Sequence, residues 1–421
     1  MHFYYSSAHL MCEQMPVAEI AQQVETPFYL YSRRTYQENF HTIAAAFGGR
    51  PHRICYALKA NTNPHLLRDF AALGAGADVV SGGELRFALQ AGIAARTIVF
   101  AGVGKRDDEI RAGLEAGIHG FHVESEAELE NLQALAQQQG LHAPVALRVN
   151  PNINIQGHPY ISTGRSADKF GIELERVHAL LKEMRRRPHV RLVGLHSHIG
   201  SQILSLNPYK EVGKALAQLA QAAHAEGLEL EYLDVGGGLG VIYEEAMKVA
   251  AETQPRNGLA LSPQEVIKNL MHALANFSGE IIFEPGRALV ATCGILVTRV
   301  LYTKISGGKQ FVIADASMTD LLRPSLYQAY HQIVPVAYRE NARQKCDVVG
   351  PVCESGDFLG KERELPEMKR GDLLAIMTAG AYGFSLSSNY NARPRPAEVI
   401  VDGGSFFISR PRQALETLWQ N

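Results

Sequence analysis

The sequence predicts an α/β protein, a (β/α)8 TIM-type barrel followed by a C-terminal, mostly antiparallel β domain. Between residues 50 and 290, eight short apolar runs typical of strands alternate with longer segments of helical period. Most of these eight runs are continuously apolar, as parallel strands covered on both faces are, and eight strands close a barrel. After residue 290 the runs remain strand-like, but the helical period almost disappears.

Amphipathic segments separate the eight strands, among them PHLLRDFAALGAG, GELRFALQAG and SEAELENLQALAQQQG. Ser125 and Glu128 form a predicted capping box at the start of the last of these, and several segments end on glycine, a common C-terminal cap. An open, doubly wound sheet is the alternative that the same alternation permits. The predicted barrel strands are Ile54–Leu58, Asp78–Ser81, Ile98–Ala101, Gly120–Val123, Val145–Val149, Leu192–His196, Tyr232–Val235 and Ile281–Phe283.

The residues after the barrel predict a second domain. The segments ILVTRVLYTKIS, KQFVIADAS, CDVVGPVC, DLLAIMTAG and AEVIVDGGSFFIS are β-rich and bounded by turn signals. TPFYLYS, at residues 26–32, is also strand-like, and we expect it to pair with this domain. The predicted division is a barrel over residues 33–290 and a β domain made of residues 1–32 and 291–421.

Composition narrows the class of protein. The chain of 421 residues is 46% hydrophobic and 20% charged, with a formal charge of −2, which predicts a globular protein with neither a nucleic acid nor an anionic membrane as partner. No apolar run approaches the ~20 residues that span a bilayer, and the first residues lack the pattern of a secretory signal. The five cysteines are odd in number and contain no C-x-x-C. We therefore expect a cytoplasmic protein.

Polar residues gather where the predicted barrel strands end, which is where active sites lie in this architecture. Each group is a weak signal alone, but together they place a lysine, a glycine-rich turn, histidines and a carboxylate–arginine pair at one rim. These groups are Lys59, Ser81–Glu84, Arg148 with Asn150, His196–Ser201, Gly236–Gly240 and Glu284–Arg287.

The glycine run after the seventh strand is a candidate phosphate site, since backbone N–H groups approach an anion only where side chains do not intervene. A tight turn between strand and helix is the alternative. A dinucleotide fingerprint is not predicted, because Val241 stands where the third glycine of that motif belongs.

His196 and His198 could instead be a metal-binding pair, since alternation along a strand places both side chains on one side. A metal site needs further ligands, and Glu284 is the only carboxylate that we find well placed beside them. We predict no metal, and core or hydrogen-bonded histidines are the simpler interpretation.

A lysine, a phosphate site and a carboxylate together point to pyridoxal 5'-phosphate. Lys59 would bind the cofactor aldehyde covalently, and a carboxylate would keep the pyridine nitrogen protonated so that the ring accepts electrons better. The alternative for Lys59 is a strand that ends with its ammonium in water.

The chain resembles the diaminopimelate decarboxylases, whose fold type also includes alanine racemase and eukaryotic ornithine decarboxylase. YALKAN, GGGLG and EPGR indicate the fold type. CESGD, RPSLYQAYH and GAYGFSLSSNYN are more specific, and DVVSGGEL, HPYISTG, DKFGI and GLHSHIGSQ also match. The resemblance covers nearly the whole chain and implies that pyridoxal phosphate is the cofactor, that meso-2,6-diaminopimelate is decarboxylated to L-lysine and CO₂ in the last step of lysine biosynthesis, and that the protein is a homodimer.

The resemblance also implies roles for single residues. Lys59 would bind the cofactor, His198 would stack on its ring, and Cys353 would return a proton to the substrate. The partner subunit would supply Cys353 and Glu354, although Cys353 by itself would be interpreted as a buried apolar residue. The remaining cofactor contacts would be Ser201, Gly236, Gly237, Gly238, Glu284, Gly286, Arg287 and Tyr382. The substrate contacts would be Arg287, Arg323, Tyr327, Glu354 and Tyr382.

Four other functions stay open from the sequence. A related basic amino-acid decarboxylase or a racemase would share Lys59 and the glycine run, although Glu284 argues against an alanine-racemase pattern. A non-catalytic pyridoxal phosphate carrier would lack the second domain, and a cofactor-free relative would lack Lys59. A metal-dependent barrel hydrolase is the most remote of the four.

Overall fold

The structure, a computed structural model, describes residues 1–153, 169–255 and 258–419. HPYISTG and the first residue of DKFGI lie outside the described residues. The chain forms two compact units, and the division predicted at residues 33 and 290 stays a prediction. The β unit comprises Met1–Asn39, Val241–Leu259 and Leu289–Asn421, and the barrel unit comprises Phe40–Gly240 and Ala260–Ala288.

The chain begins with a small antiparallel sheet in the β unit. Its three strands pair in the order of the sequence, and their inward side chains are buried in the core of this unit. The fourth strand, inside the predicted TPFYLYS segment, is fully buried. The elements are β1 (Phe3–Ser6), β2 (His9–Cys12), β3 (Met15–Pro16), α1 (Val17–Gln23) and β4 (Phe28–Ser32).

Strands and helices then alternate between residues 33 and 290. They are α2 (Arg33–Ala45), β5 (His52–Ala57), α3 (Pro64–Ala72), β6 (Gly76–Val79), α4 (Gly82–Gln90), β7 (Ile98–Phe100), α5 (Asp107–Ala116), β8 (Gly120–Val123), α6 (Glu126–Gln139), β9 (Ala143–Asn150), β10 (Ile172–Glu173), α7 (Leu174–Glu183), β11 (Val190–His196), α8 (Asn207–Ala225), β12 (Tyr232–Asp234), α9 (Pro263–Ala273), β13 (Glu280–Phe283) and α10 (Arg287–Val290).

Eight parallel strands close into a barrel. Each pairs with the next in the order β5-β6-β7-β8-β9-β11-β12-β13, and β13 pairs back onto β5. The short strand β10 adds to β9 outside this ring. The predicted barrel is therefore confirmed, and the alternative of an open sheet is wrong.

Local sequence explains where several barrel helices begin and end. Ser81 caps α4 by accepting the N–H of Glu84 at 3.2 Å, and Gly117 and Gly140 end α5 and α6 in the left-handed conformation. Ser125 caps α6 as predicted, but the Glu128 carboxylate accepts the N–H of residue 124 rather than that of Ser125. In the described parts of the chain, no helix is long and apolar enough to cross a membrane.

The second half of the β unit is a mostly antiparallel sheet, as predicted. Its strands pair in the order β18-β17-β15-β14-β4-β20-β21, so the predicted pairing of TPFYLYS with this domain is confirmed. The β4–β20 and β15–β17 pairs are parallel. The elements are β14 (Gly294–Ser306), β15 (Lys309–Ala314), α11 (Arg323–Tyr327), β16 (Ile333–Pro335), β17 (Arg343–Val349), β18 (Phe358–Pro366), β19 (Leu373–Ile376), β20 (Ala397–Asp402) and β21 (Ser405–Arg410).

Candidate active site

Lys59 lies on a short turn at the end of the first barrel strand. The strand stops at Ala57, and residues 58–60 form one turn of 3₁₀-helix. Lys59 Nζ lies 2.7 Å from Oδ2 of Asp78, at the end of the neighbouring strand. The lysine side chain is 38% exposed and that of Asp78 only 1%. The amine is thus held by a buried carboxylate while it stays accessible.

Two opposing effects act on the pKa of Asp78, and burial is the larger. Burial raises the pKa of Asp78 above its usual value, and the adjacent Lys59 ammonium opposes that rise. Sequence reasoning did not select Asp78 as a partner of Lys59, although it stands in a predicted strand beside Lys59, and parallel neighbours bring such side chains together.

A second buried ion pair lies at the same rim. Arg148, at the end of β9, donates to Glu124 at 2.5 Å, and both side chains are buried. Glu124 also accepts the N–H groups of Gly102 (3.1 Å) and Gly171 (2.8 Å). This pair fixes three loops around the strand ends and places a guanidinium there.

The glycine run forms a tight turn after β12, and each glycine is required by close packing. A Cβ on Gly237 would collide with the carbonyl oxygen of Glu284, and one on Gly238 with that of Gly200. Gly236 and Gly238 have φ of +67° and +87°, a region that side chains disfavour. The N–H of Gly236 donates to Asp234, and the N–H of Gly237 donates to His198. Among these three glycines, Gly238 is therefore the candidate to donate a hydrogen bond to a bound anion.

Ser201 and Arg287 meet beside this turn. Ser201 Oγ accepts from Nε of Arg287 at 3.3 Å and from its NH2 group at 3.1 Å, and the arginine is buried. The hydroxyl proton of Ser201 is then directed away from the guanidinium. Gly286 lies so close to Ala57 and Ala60 that a Cβ would contact both at 3.1 Å.

His198 is fixed as a neutral imidazole. Its Nδ1 accepts the N–H of Gly237 at 3.1 Å, so the ring proton sits on Nε2. Burial lowers the pKa of His198 well below its usual value, and the cations Lys59 and Arg148 lower it further. The ring is therefore a flat, uncharged surface at the barrel rim.

His196 faces the barrel interior and joins a cluster that the sequence did not predict. His196 Nε2 lies 3.3 Å from Oε2 of Glu284, and His122 lies 3.6 Å from both Glu284 and Asp234. All four side chains are buried, and their ligand-type atoms lie within 4.8 Å of one another. His198 is not one of the four, so the alternative of His196 and His198 as a pair of metal ligands is not supported among the described residues.

In the β unit, Arg323 is held by a buried network. Its Nε donates to Nε2 of His331 at 3.2 Å, so His331 is neutral and donates through Nδ1 to the carbonyl of Met377 at 2.9 Å. The guanidinium also lies over the ring of Tyr243, at 5.2 Å, and over that of Tyr327, at 5.9 Å. Arg323 is thus oriented in part by aromatic and histidine contacts.

Cys353 and Glu354 lie on an exposed loop of the β unit. The interpretation of Cys353 as a buried apolar residue is wrong, because it is exposed while the other four cysteines are buried. Asp357 folds the loop by accepting the N–H groups of Val352 (2.8 Å) and Met318 (2.6 Å). Ser325 of α11 donates to the carbonyl of Gly356 at 2.6 Å, which ties this loop to the helix that carries Arg323 and Tyr327.

Tyr382, in the GAYG segment of the β unit, has a φ of +56°. A large aromatic residue rarely adopts this left-handed conformation, and such backbone strain concentrates at functional positions. The strained backbone therefore favours Tyr382 as a functional residue of this unit.

Several residues of the site were missed from the sequence: Asp78, His122, Glu124, Asp234 and His331. Asp234 and Glu124 stand at or directly after strand ends, so the rule that selected Lys59 could have found them. His122 lies within a strand, where a polar residue in an apolar run was the available signal.

Comparisons with known proteins fit this arrangement. Residues 33–291 match the family described as pyridoxal-dependent decarboxylase, pyridoxal binding domain. Diaminopimelate decarboxylase of Vibrio cholerae is 44% identical over 417 residues, which cover 99% of this chain and 97% of that protein. The enzyme of the same name from Aquifex aeolicus is 43% identical, over a match that covers 97% of this chain and 94% of that protein.

A solved structure matches equally well. The diaminopimelate decarboxylase of Helicobacter pylori, crystallised with L-lysine, is 42% identical, with a TM-score of 0.90 over 96% of this chain and 98% of that one. The chain belongs to the diaminopimelate decarboxylase family. Pyridoxal phosphate is the cofactor of this family of pyridoxal-dependent decarboxylases, and it is therefore the cofactor of this chain.

The barrel residues fit this cofactor. In the glycine turn the N–H groups of Gly236 and Gly237 donate within the protein, which leaves that of Gly238 to donate to a phosphate. Glu284 places a buried carboxylate directly after the last barrel strand, at the strand ends where Lys59 lies. Lys59 supplies the accessible amine. In a member of the diaminopimelate decarboxylase family, this set matches the aldehyde, ring nitrogen and phosphate of pyridoxal phosphate.

Proposed function

We propose that this chain decarboxylates meso-2,6-diaminopimelate to L-lysine and CO₂, the last step of lysine biosynthesis. The observation that carries this proposal is the near-complete match, at 44% identity, to a diaminopimelate decarboxylase, together with an accessible Lys59 paired with Asp78. The homologue crystallised with L-lysine, the product of this reaction, supports the same substrate.

The barrel residues take the cofactor roles. Lys59 would hold the cofactor covalently, and Asp78 would orient its amine. His198 would lie against one ring face and Glu284 would pair with the ring nitrogen. The phosphate would be held by Gly236–Gly238, Ser201, Gly286, Arg287 and Tyr382. When bound, pyridoxal phosphate supplies an electron-poor ring that accepts the electron pair left when CO₂ departs.

The β unit supplies groups that suit the substrate. Diaminopimelate has two carboxylates and two ammonium groups, so it needs cationic and anionic contacts together. Arg323, which His331 fixes in orientation, can grip a carboxylate with two parallel hydrogen bonds. Tyr327 and Tyr382 add neutral contacts, Arg287 of the barrel adds a second cation, and the exposed Glu354 suits the distal ammonium group.

Cys353 delivers the proton that replaces the lost carboxylate. We infer a homodimer in which Cys353 and Glu354 complete the site of the partner subunit. Their place on an exposed loop supports this arrangement, since groups offered to a second chain must be accessible in the single one. The cytoplasm stays our expected location.

The first prediction tests the reaction. Purified protein loaded with pyridoxal phosphate releases CO₂ from meso-diaminopimelate and forms L-lysine in equal amount, with far lower kcat/KM on L-ornithine, L-arginine and L-lysine. Trapped CO₂ and chromatography of the products measure both. Efficient decarboxylation of another basic amino acid, without turnover of diaminopimelate, contradicts the proposal.

A second prediction concerns the substrate clamp. Arg323→Lys keeps the charge but loses the planar, bidentate donor set, so we expect kcat/KM for diaminopimelate to fall roughly 10- to 100-fold, mostly through KM. Cofactor binding stays unchanged. Arg339→Lys is the control, because Arg339 pairs with Asp372 at 2.6 Å in the same unit and has no proposed role. Equal effects of the two substitutions contradict the assignment of Arg323.

A further inference from the structure

The proposed function leaves three buried titratable side chains beside Glu284 without a role. We propose that Asp234, His122 and His196 are positioning residues, in which Asp234 is a neutral acid that shares its proton with Glu284 and the two neutral imidazoles orient Glu284 as the single anion of the cluster. The inference deepens the proposed function, because it rests on Glu284 pairing with the ring nitrogen of the cofactor.

The four side chains converge from four different strand positions. His122 stands in β8, His196 and Asp234 end β11 and β12, and Glu284 follows β13. The two imidazole rings stack at 4.2 Å between centroids. His196 contacts one carboxylate oxygen of Glu284 at 3.3 Å and His122 the other at 3.6 Å, so both oxygens of Glu284 face a ring nitrogen.

A proton on a carboxyl group would add a hydrogen bond to a cluster in which the nitrogens of His122 and His196 also lack a partner among the described residues. Among the described residues, Oδ2 of Asp234 and Oε1 of Glu284 are both buried without a donor. Leaving such buried atoms unpaired is unfavourable. One proton placed between Asp234 and Glu284 turns one of these acceptors into a donor, and so satisfies both atoms at once. The other oxygen of Asp234 already accepts the N–H of Gly236 at 2.8 Å.

The surrounding charges favour this distribution of protons. Burial, followed by the neighbouring charge of Glu284, raises the pKa of Asp234 well above its usual value. Burial also lowers the pKa of His122 and of His196 well below theirs, and each has nearby cations or the other ring as a further cause. Besides one another, the titratable and charged groups that face the cluster from adjacent elements are Cys55, Lys59, Asp78, Lys105, Arg148, His198 and Tyr232.

If Asp234 is neutral, asparagine can replace it, whereas asparagine cannot replace an ionised Asp234. Asparagine has the same shape, its Oδ1 can still accept from Gly236, and its amide N–H₂ can donate where the shared proton lies. Asp234→Asn should therefore preserve the cluster, whereas Asp234→Ala should leave Glu284 without its donor. If Asp234 were an anion or a metal ligand, asparagine would fail as well.

The test measures cofactor binding rather than activity. Apoprotein of the parent, Asp234→Asn, Asp234→Ala, His196→Phe and Tyr232→Phe is titrated with pyridoxal phosphate near neutral pH, and the visible absorbance of each holoprotein is titrated with acid and base. Tyr232→Phe is the control, because its ring lies 6.2 Å from that of His122 and the substitution removes only a buried hydroxyl that makes no hydrogen bond among the described residues.

We expect Asp234→Asn to keep the Kd within about threefold of the parent and Asp234→Ala to raise it roughly 10- to 100-fold. His196→Phe keeps a ring on His122 but removes the nitrogen beside Glu284, so the pH at which the visible band titrates shifts, while in Tyr232→Phe it does not. Circular dichroism shows whether each variant is folded. If Asp234→Ala does not fold, the Kd of Asp234→Asn for pyridoxal phosphate alone decides whether the inference holds.

Binding by Asp234→Asn that is weakened tenfold or more overturns the inference, as does stoichiometric metal in the parent that both Asp234 variants lose. These results differ from failure of the proposed function, which would show as a parent protein that does not bind pyridoxal phosphate or does not release CO₂ from diaminopimelate.

Discussion

Lys59→Ala should lose the covalently held cofactor together with more than about a thousandfold of turnover. The amine of Lys59 is the group that we propose reacts with the cofactor aldehyde, and no hydrocarbon side chain can replace it. Reduction with borohydride followed by mass measurement shows a bound adduct in the parent and none in the variant. Turnover near that of the parent, or a reducible adduct in the variant, contradicts this role.

The effect of Lys59→Ala on folding should be small beside its effect on turnover. The substitution leaves the Asp78 carboxylate without its cation, and Asp78 is 1% exposed. Because burial already raises the pKa of Asp78, the carboxyl group can take up a proton instead of staying charged. We expect the free energy of unfolding to fall by about 1–3 kcal/mol.

Lys59→Arg is the matched control that separates charge from nucleophilicity. The guanidinium can still pair with Asp78, so the stability lost in Lys59→Ala should largely return. Arginine stays protonated in proteins and cannot add to an aldehyde, so turnover and the reducible adduct should stay absent. Recovery of turnover in Lys59→Arg would mean that Lys59 acts only through its charge.

The sequence was sufficient for the barrel and for most of the rim. Strands buried on both faces are nearly continuous apolar runs, so their order and number could be counted. The side chains at their ends, such as Lys59 and Glu284, then fall at one edge of the sheet whatever the details of packing. The same reasoning predicted that TPFYLYS pairs with the C-terminal domain, because it is strand-like and precedes the first barrel helix.

Contacts that depend on three-dimensional packing could not be predicted. His122 stands in the middle of a strand, and only barrel closure brings it against His196 and Asp234. Tyr243 follows the barrel's glycine turn in sequence, yet it contacts Arg323 and His331 in the β unit. Taken by itself, Cys353 would be interpreted as a buried apolar residue, because cysteine is usually buried. Its exposure depends on the fold of its loop.

Cys353→Ala should lower kcat by roughly 10²- to 10⁴-fold, the usual range for loss of a general acid. Cofactor binding and the free energy of unfolding should stay within about 0.5 kcal/mol of the parent's, because the side chain is exposed. The loop itself should keep its shape, since Asp357 and the contact between the Cys353 N–H and Asn391, at 3.0 Å, do not involve the thiol.

Mixed dimers show which subunit supplies Cys353. If Lys59 and Cys353 of one site come from different subunits, a dimer of one Lys59→Ala and one Cys353→Ala chain contains one intact site. With equal amounts of freely exchanging variants, about half of the dimers are mixed, so about a quarter of the parent's turnover returns. If both residues come from the same chain, every site in the mixture is defective and no turnover returns. Mixing Lys59→Ala with Lys59→Arg is the control, because no combination of those subunits contains an intact Lys59.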